Sequence, residues 1–207
     1  MKLNILSGGA AQSVVNGLAD EFRAATGYEL ACTFSAVGAM KARLLAGAPA
    51  DVVILTQAIV AELAAGGQLV PDGCADLGRV RTGIAVRAGD PLPGIGSAAA
   101  LRSALLAAGG IFFPDPQTAT AGIHFARVLD ALGIRDQVAP RLKAFPNGST
   151  AMRALAQSGG ERPIGCTQVT EIRNTPGVFL ISVTWVQPIW RPPSLCASPR
   201  MAVLPLG

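Results

Sequence analysis

Half of the 207 residues are apolar and 14% are charged, a balance that excludes a disordered chain and supplies a sizeable core for one large or two small domains. The net charge of +4 is spread thinly, with Arg79, Arg81 and Arg87 as the compact cluster, and aromatic residues make up only 5%. So few rings exclude base stacking, and nucleic acid with it, and leave a mild pull on small anions.

"LNIL" reads as a first strand and leads through "SGGAAQS" to Val14, Val15, Leu18, Ala19 and Phe22 at helical spacing, with Gly27 placed to end the helix. "ELACTF" is the next strand and "SAVGA" a turn; Met40, Leu44 and Leu45 mark a second helix that stops at "AGAP". "DVVIL" is continuous and β-branched, as in a strand buried on both faces. Ile59, Val60, Leu63 and Ala64 follow as a helix closed by Gly66 and Gly67. This alternation predicts a mostly parallel, doubly wound sheet.

"GRVRTGIAVRAGDPLPG" reads as one crossing strand near residues 80–88, then a turn. The rhythm restarts with "AAALRSALLAAG" as helix, "GIFFPDP" as strand and "TAGIHFARVLDALGI" as helix. "VAPRLKAFPNG" is a connection with a short strand, "STAMRALAQSGG" a helix and "PIGCTQ" a strand. Two rounds of one organisation predict two lobes, the first of residues 1–82 with 182–207 and the second of residues 83–181.

Ligands of such sheets lie beyond the carboxyl ends of the strands. Those ends are "SGGAAQ", "SAVGA", "TQA", "QTATAG" and "NGST", and four of the five are rich in Gly, Ser or Thr and open helices. Bare amide groups at helix starts form a ready anion site. Tight turns and ordinary helix caps need the same small residues, so both readings stand at this point.

Cys32, Cys74, Cys166 and Cys196 lie far apart without metal-ligand or CxxC spacing, which predicts free thiols and no metal. His124 sits in the first turn of a helix between Ile123 and Phe125, and it reads as structural. A Cys166–His124 nucleophile and base pair, in a cytosolic enzyme, is the alternative. "SGGAAQ" lacks the Gly-Lys-Ser/Thr of a phosphate loop. Lys41 and Arg43 read as a solvated helix face, with Lys41 in reach of a cleft mouth.

Taken together, "LNILSGGAAQSVVNGLADEF", "GAPADVVILTQ", "GIFFPDPQTATAGIHFARVLDALGI" and "PIGCTQ" resemble the molybdate-binding, type II periplasmic solute-binding proteins of ABC transporters. The resemblance covers about residues 3–180. It implies a two-lobed type II periplasmic-binding-protein fold, α/β with doubly wound mixed sheets and a hinge, closing on a small solute without catalysis, cofactor or metal. In that family an oxyanion is held by hydroxyls, a tyrosine and backbone N–H groups. By motif, Ala121 matches one N–H donor, with Thr120 beside it, and the region of Ser149 and Thr150 matches another. Gly9 and Ala10 match the first helix start and Val37 the second. The family's serines fall on Ala10 and near Val37, and its tyrosine falls on Gln168. Losing one hydroxyl donor to an anion costs about 1.5–3 kcal/mol. Compensation would fall to Ser7, Gln12, Ser35 or Thr120, and a different oxyanion or a neutral polar solute stays open. The implied partners are this ligand and an ABC permease; a cytoplasmic sensor of the same fold is a further alternative.

From Ile172 to Gly207 there is no Asp or Glu, and both tryptophans, Trp185 and Trp190, fall among crowded prolines. "TWVQPIWRPPSLCASPRMAVLPLG" shows neither helical nor strand period. That break predicts a change of reading frame near residues 179–184. It also predicts apolar surface left uncovered on the first lobe, with association through the tail. The first strand begins at once, without a leader pattern, and no apolar run is long enough to span a bilayer. The chain as written is therefore expected in the cytoplasm, and in the periplasm if a leader has been trimmed.

Overall fold

In the computed structural model, which describes residues 1–182 and 200–205, the opening apolar run forms strand β1, Lys2–Gly8. A 3-10 turn at Gly9–Ala11 feeds helix α1, Gln12–Thr26. Gly27 ends α1 in the left-handed conformation at φ 74°, as its position predicts, and its N–H returns to the Arg23 carbonyl. Then come β2, Glu29–Ser35; α2, Val37–Leu45; β3, Val52–Thr56; α3, Gln57–Ala65; and β4, Ala75–Arg79.

A strand stands where one is expected near residues 80–88, but it does not cross: it and the strand before it lie in two different sheets. β4 stops at Arg79 and β5, Thr82–Arg87, joins the second sheet. The pairing breaks at Val80 and Arg81, where the Arg81 carbonyl accepts the Val169 N–H at 2.8 Å. After β5 the order is α4, Ala98–Ala107; β6, Ile111–Pro114; α5, Thr120–Ala131; α6, Arg135–Val138; and β7, Leu142–Phe145. α7, Gly148–Ala156; β8, Ile164–Gln168; α8, Val169–Arg173; and β9, Val178–Ser182 complete that unit. The final strand is β10, Arg200–Pro205.

One compact unit holds Met1–Val80 together with β10, and the other begins at Arg81. The first sheet runs β2-β1-β3-β10-β4 and the second β7-β6-β8-β5-β9. In each, three strands are parallel and a fourth lies antiparallel between the third and the fifth. β10 corrects the reading of the tail as lacking any strand. "RMAVLP" is short and bounded by Pro199 and Pro205, which hides a pattern that pairing with both β3 and β4 brings out. Trp185, Trp190 and Cys196 lie outside the described residues, as does the expected frame change beyond Ser182.

β3 is buried on both faces, as its composition predicts. Val53 and Leu55 meet Met40, Val60 and Leu63, while Ile54 meets Ile5, Ala10 and Ala11. The second sheet is sandwiched likewise, with Ile111 and Phe113 against Leu101, Leu105, Phe125 and Leu129, and Phe112 against Ala151, Met152 and Leu155. α1 differs from its pattern. None of its residues is buried, and Val14 and Leu18 are 58% and 52% exposed. Val15 alone of the stripe packs on the Ile5–Ile54 cluster. Among the described residues no helix is long and apolar enough to cross a membrane.

Candidate functional site

Three helix starts share one chemical feature. At β1, Ser7 is fully buried and its hydroxyl donates to the Gly8 carbonyl at 2.9 Å, so it supports the turn from within. Gly9 and Ala10 follow in the 3-10 turn; Ala10 and Ala11 are buried, and α1 starts at Gln12 behind Ala11 with no capping side chain. At β2, Ser35 is half-buried, Ala36 precedes α2 without offering an acceptor, and Val37 is the buried first residue of the helix. Lys41 in the same helix is paired to Glu62 of α3, and Arg43 lies in its last turn.

The third start is α5. Asp115 organises the turn before it: its carboxylate accepts the N–H groups of Gln117 and Thr118 at 2.8 and 2.7 Å and the Thr118 hydroxyl at 2.9 Å. Those bonds hold its pKa below the usual carboxylate range. Ala119 is the residue before the helix and brings no acceptor, and the first helical bond runs from Ile123 N–H to its carbonyl at 2.9 Å. The amides of Thr120 and Ala121 are therefore left without an acceptor among the described residues. Gly122 is required here, because a Cβ would strike the carbonyl oxygens of Pro114 and Asp115. Thr120 is half-buried and Ala121 buried.

The fourth start, α7, corrects the expectation of a bare donor at Ser149 and Thr150. Asn147 accepts the Thr150 N–H and the Thr150 hydroxyl, both at 2.9 Å. The N–H groups of Gly148 and Ser149 go to the carboxylate of Glu171. All three leading amides of this helix are thus satisfied internally. Glu171 is 6% exposed and also accepts the Thr167 hydroxyl at 2.6 Å and the N–H of Gln168. Burial pushes its carboxyl above the ordinary range, against the pull of those four donors. Gln168 is the half-buried residue that opens α8.

The Cys166–His124 pair is also corrected. Cys166 is fully buried in the core of the second unit, and burial drives its thiol far above the usual value, so no thiolate is on hand for attack. His124 is held low, first by burial and then by Arg127, which keeps it neutral. Asp115, Asn147 and Glu171 were missed as organisers of these starts. The spacing Gln168-x-x-Glu171, an acidic residue three places after a helix cap, is the signal that would have revealed the last.

Among curated proteins, an aconitate isomerase from Pseudomonas sp. is 28% identical over 190 residues, spanning 87% of this chain and 69% of that protein. Among solved structures, the periplasmic molybdate-binding protein of Azotobacter vinelandii has a TM-score of 0.77 at 16% identity, covering 99% of this chain and 85% of its own. The sulfate-binding protein of Mycobacterium tuberculosis has a TM-score of 0.70 at 15% identity, covering 99% and 75%. These likenesses establish the type II periplasmic-binding-protein fold. The bacterial extracellular solute-binding protein family matches residues 3–189. With that fold and a match over most of its length, the chain belongs to the family of bacterial extracellular solute-binding proteins.

Proposed function

We propose that this protein binds a small oxyanion through backbone amides at helix starts that lack a capping side chain, without catalysing its conversion. The observation that carries the reading is a contrast inside the molecule. α4 and α7 are capped by Ser97 and Asn147, whereas Gly8 before the turn Gly9–Ala11, Ala36 before α2 and Ala119 before α5 bring no capping side chain, and at α5 the Thr120 and Ala121 amides are left to another acceptor. The candidate contacts are, in the first unit, Gly9, Ala10 and Val37 beside Ser35, and, in the second, Thr120 and Ala121 with the side-chain amide of Gln168, where the family resemblance has a tyrosine. Thr150 leaves the set, because its N–H is already engaged.

Neutral dipoles rather than counter-ions would then hold the charge. The molybdate- and sulfate-binding structural relatives support an inorganic oxyanion as the ligand class. A second reading, an organic polycarboxylate taken at the same amides, is favoured by the relative named aconitate isomerase. Delivery to an ABC permease from outside the cytoplasm follows from the family reading.

Isothermal titration with molybdate, tungstate, sulfate, phosphate and aconitate tests both readings. One saturable one-to-one isotherm is expected, with no conversion of the bound anion. Ala119→Asp, which gives α5 a carboxylate of its own, should weaken that binding by about tenfold or more while the thermal melt holds. No saturable heat with any of the five anions overturns the proposal.

A further inference from the structure

Glu171 is a buried carboxylate that the proposed site does not use. It stands three residues after Gln168 and closes α8 by accepting the Gln168 N–H. It also reaches across to a second helix and takes the N–H groups of Gly148 and Ser149 at the start of α7. Gly148 permits this approach, since a Cβ there would strike both the Glu171 carboxylate and the Thr167 hydroxyl. With the Thr167 hydroxyl, four donors converge on the two oxygens of one side chain. An isolated anion would not be tolerated at 6% exposure, and an uncapped α7 would bury its amides unpaired.

We propose that Glu171 is a resident internal anion, a positioning residue that closes the starts of α7 and α8 together and thereby fixes Gln168. The consequence for binding rests on the reading under Proposed function: α7 is withdrawn from solute binding, and in this unit the solute is left to α5 and Gln168. The helix start that the sequence offers to a ligand is filled by the protein itself.

Hydrogen exchange on the ligand-free protein tests this, so failure of anion binding leaves the test standing. In Glu171→Ala, protection of the Gly148, Ser149 and Gln168 amides should fall by about tenfold or more, while that of Phe125 and Leu129 holds. Sodium formate, a free carboxylate small enough for the vacated space, should restore it, and sodium chloride at equal ionic strength should not. Unchanged protection in the variant, or loss that formate fails to reverse, overturns the proposal. Should Glu171→Ala fold only in formate, that dependence is itself the expected result. Should it fold in neither salt, Glu171→Gln carries the test. Its single acceptor oxygen can serve about two of the four donors, so at least one of the three amides should exchange about tenfold faster. Parent-like protection at all three overturns the proposal.

Discussion

Two carboxylates in the second unit titrate with opposite signs, and the difference comes from their surroundings. Asp115 sits at a turn and is held low by the Gln117 and Thr118 donors. Its contribution is complete above the unfolded value of about 4 and is lost as pH falls through the lowered folded value. Asp115→Asn should cost about 1 kcal/mol at pH 7 and flatten the acid limb of the stability profile below about pH 4. Glu171 is held high by burial, so its ionised form carries a penalty at neutral pH. Stability should rise as pH falls from neutral through that raised value toward the unfolded value of about 4.3, the reverse of Asp115. Urea melts between pH 3 and about pH 8 on the parent and both Asn and Gln variants check this. A parent profile that Glu171→Gln reproduces unchanged refutes the assignment.

At the scale of elements, the helices divide by what their periodicity could and could not foretell. The apolar spacing of α5 and α7 carried the right faces into the core, and Leu129 and Leu155 are fully buried there. α1 carried an equally clear stripe, yet no residue of it is buried, because spacing reports an apolar face and not the element that will cover it. Leu18→Asp should therefore change stability by less than about 0.5 kcal/mol, whereas Leu55→Ala, at a fully buried position of β3, should cost about 2–5 kcal/mol. Thermal melts of the two variants give the comparison. Leu18→Asp should also lower self-association in light scattering, since an exposed apolar stripe favours contact between copies. The helix starts were legible only in part. "QTATAG" marked the start of α5, and alanine at the caps was visible in the letters. The closing of α7 was hidden, because two of its three amides are taken by Glu171 from another helix, and no local pattern reports a partner so distant in the chain.

The two sheets repeat one plan, three parallel strands with an antiparallel fourth between the third and the fifth, and they fill the fourth place differently. In the second sheet it is β5, which opens that unit; in the first it is β10, from the last residues of the chain. β10 pairs with β3 from Val52 to Thr56 on one side and with β4 on the other. Without it, β4 has no neighbour in the sheet and β3 becomes an edge whose backbone donors and acceptors lose their partners. A domain holds only about 5–15 kcal/mol in reserve, and an interior strand carries a large share of it. A chain ending at Pro199 should thus lose hydrogen-exchange protection at Val53, Ile54 and Leu55. The second unit owes its sheet to none of the removed residues, so Ile164, Gly165 and Cys166 should stay protected. Equal loss in both sheets would mean that they unfold as one cooperative block, and full retention in β3 would mean that its pairing with β10 contributes nothing to stability.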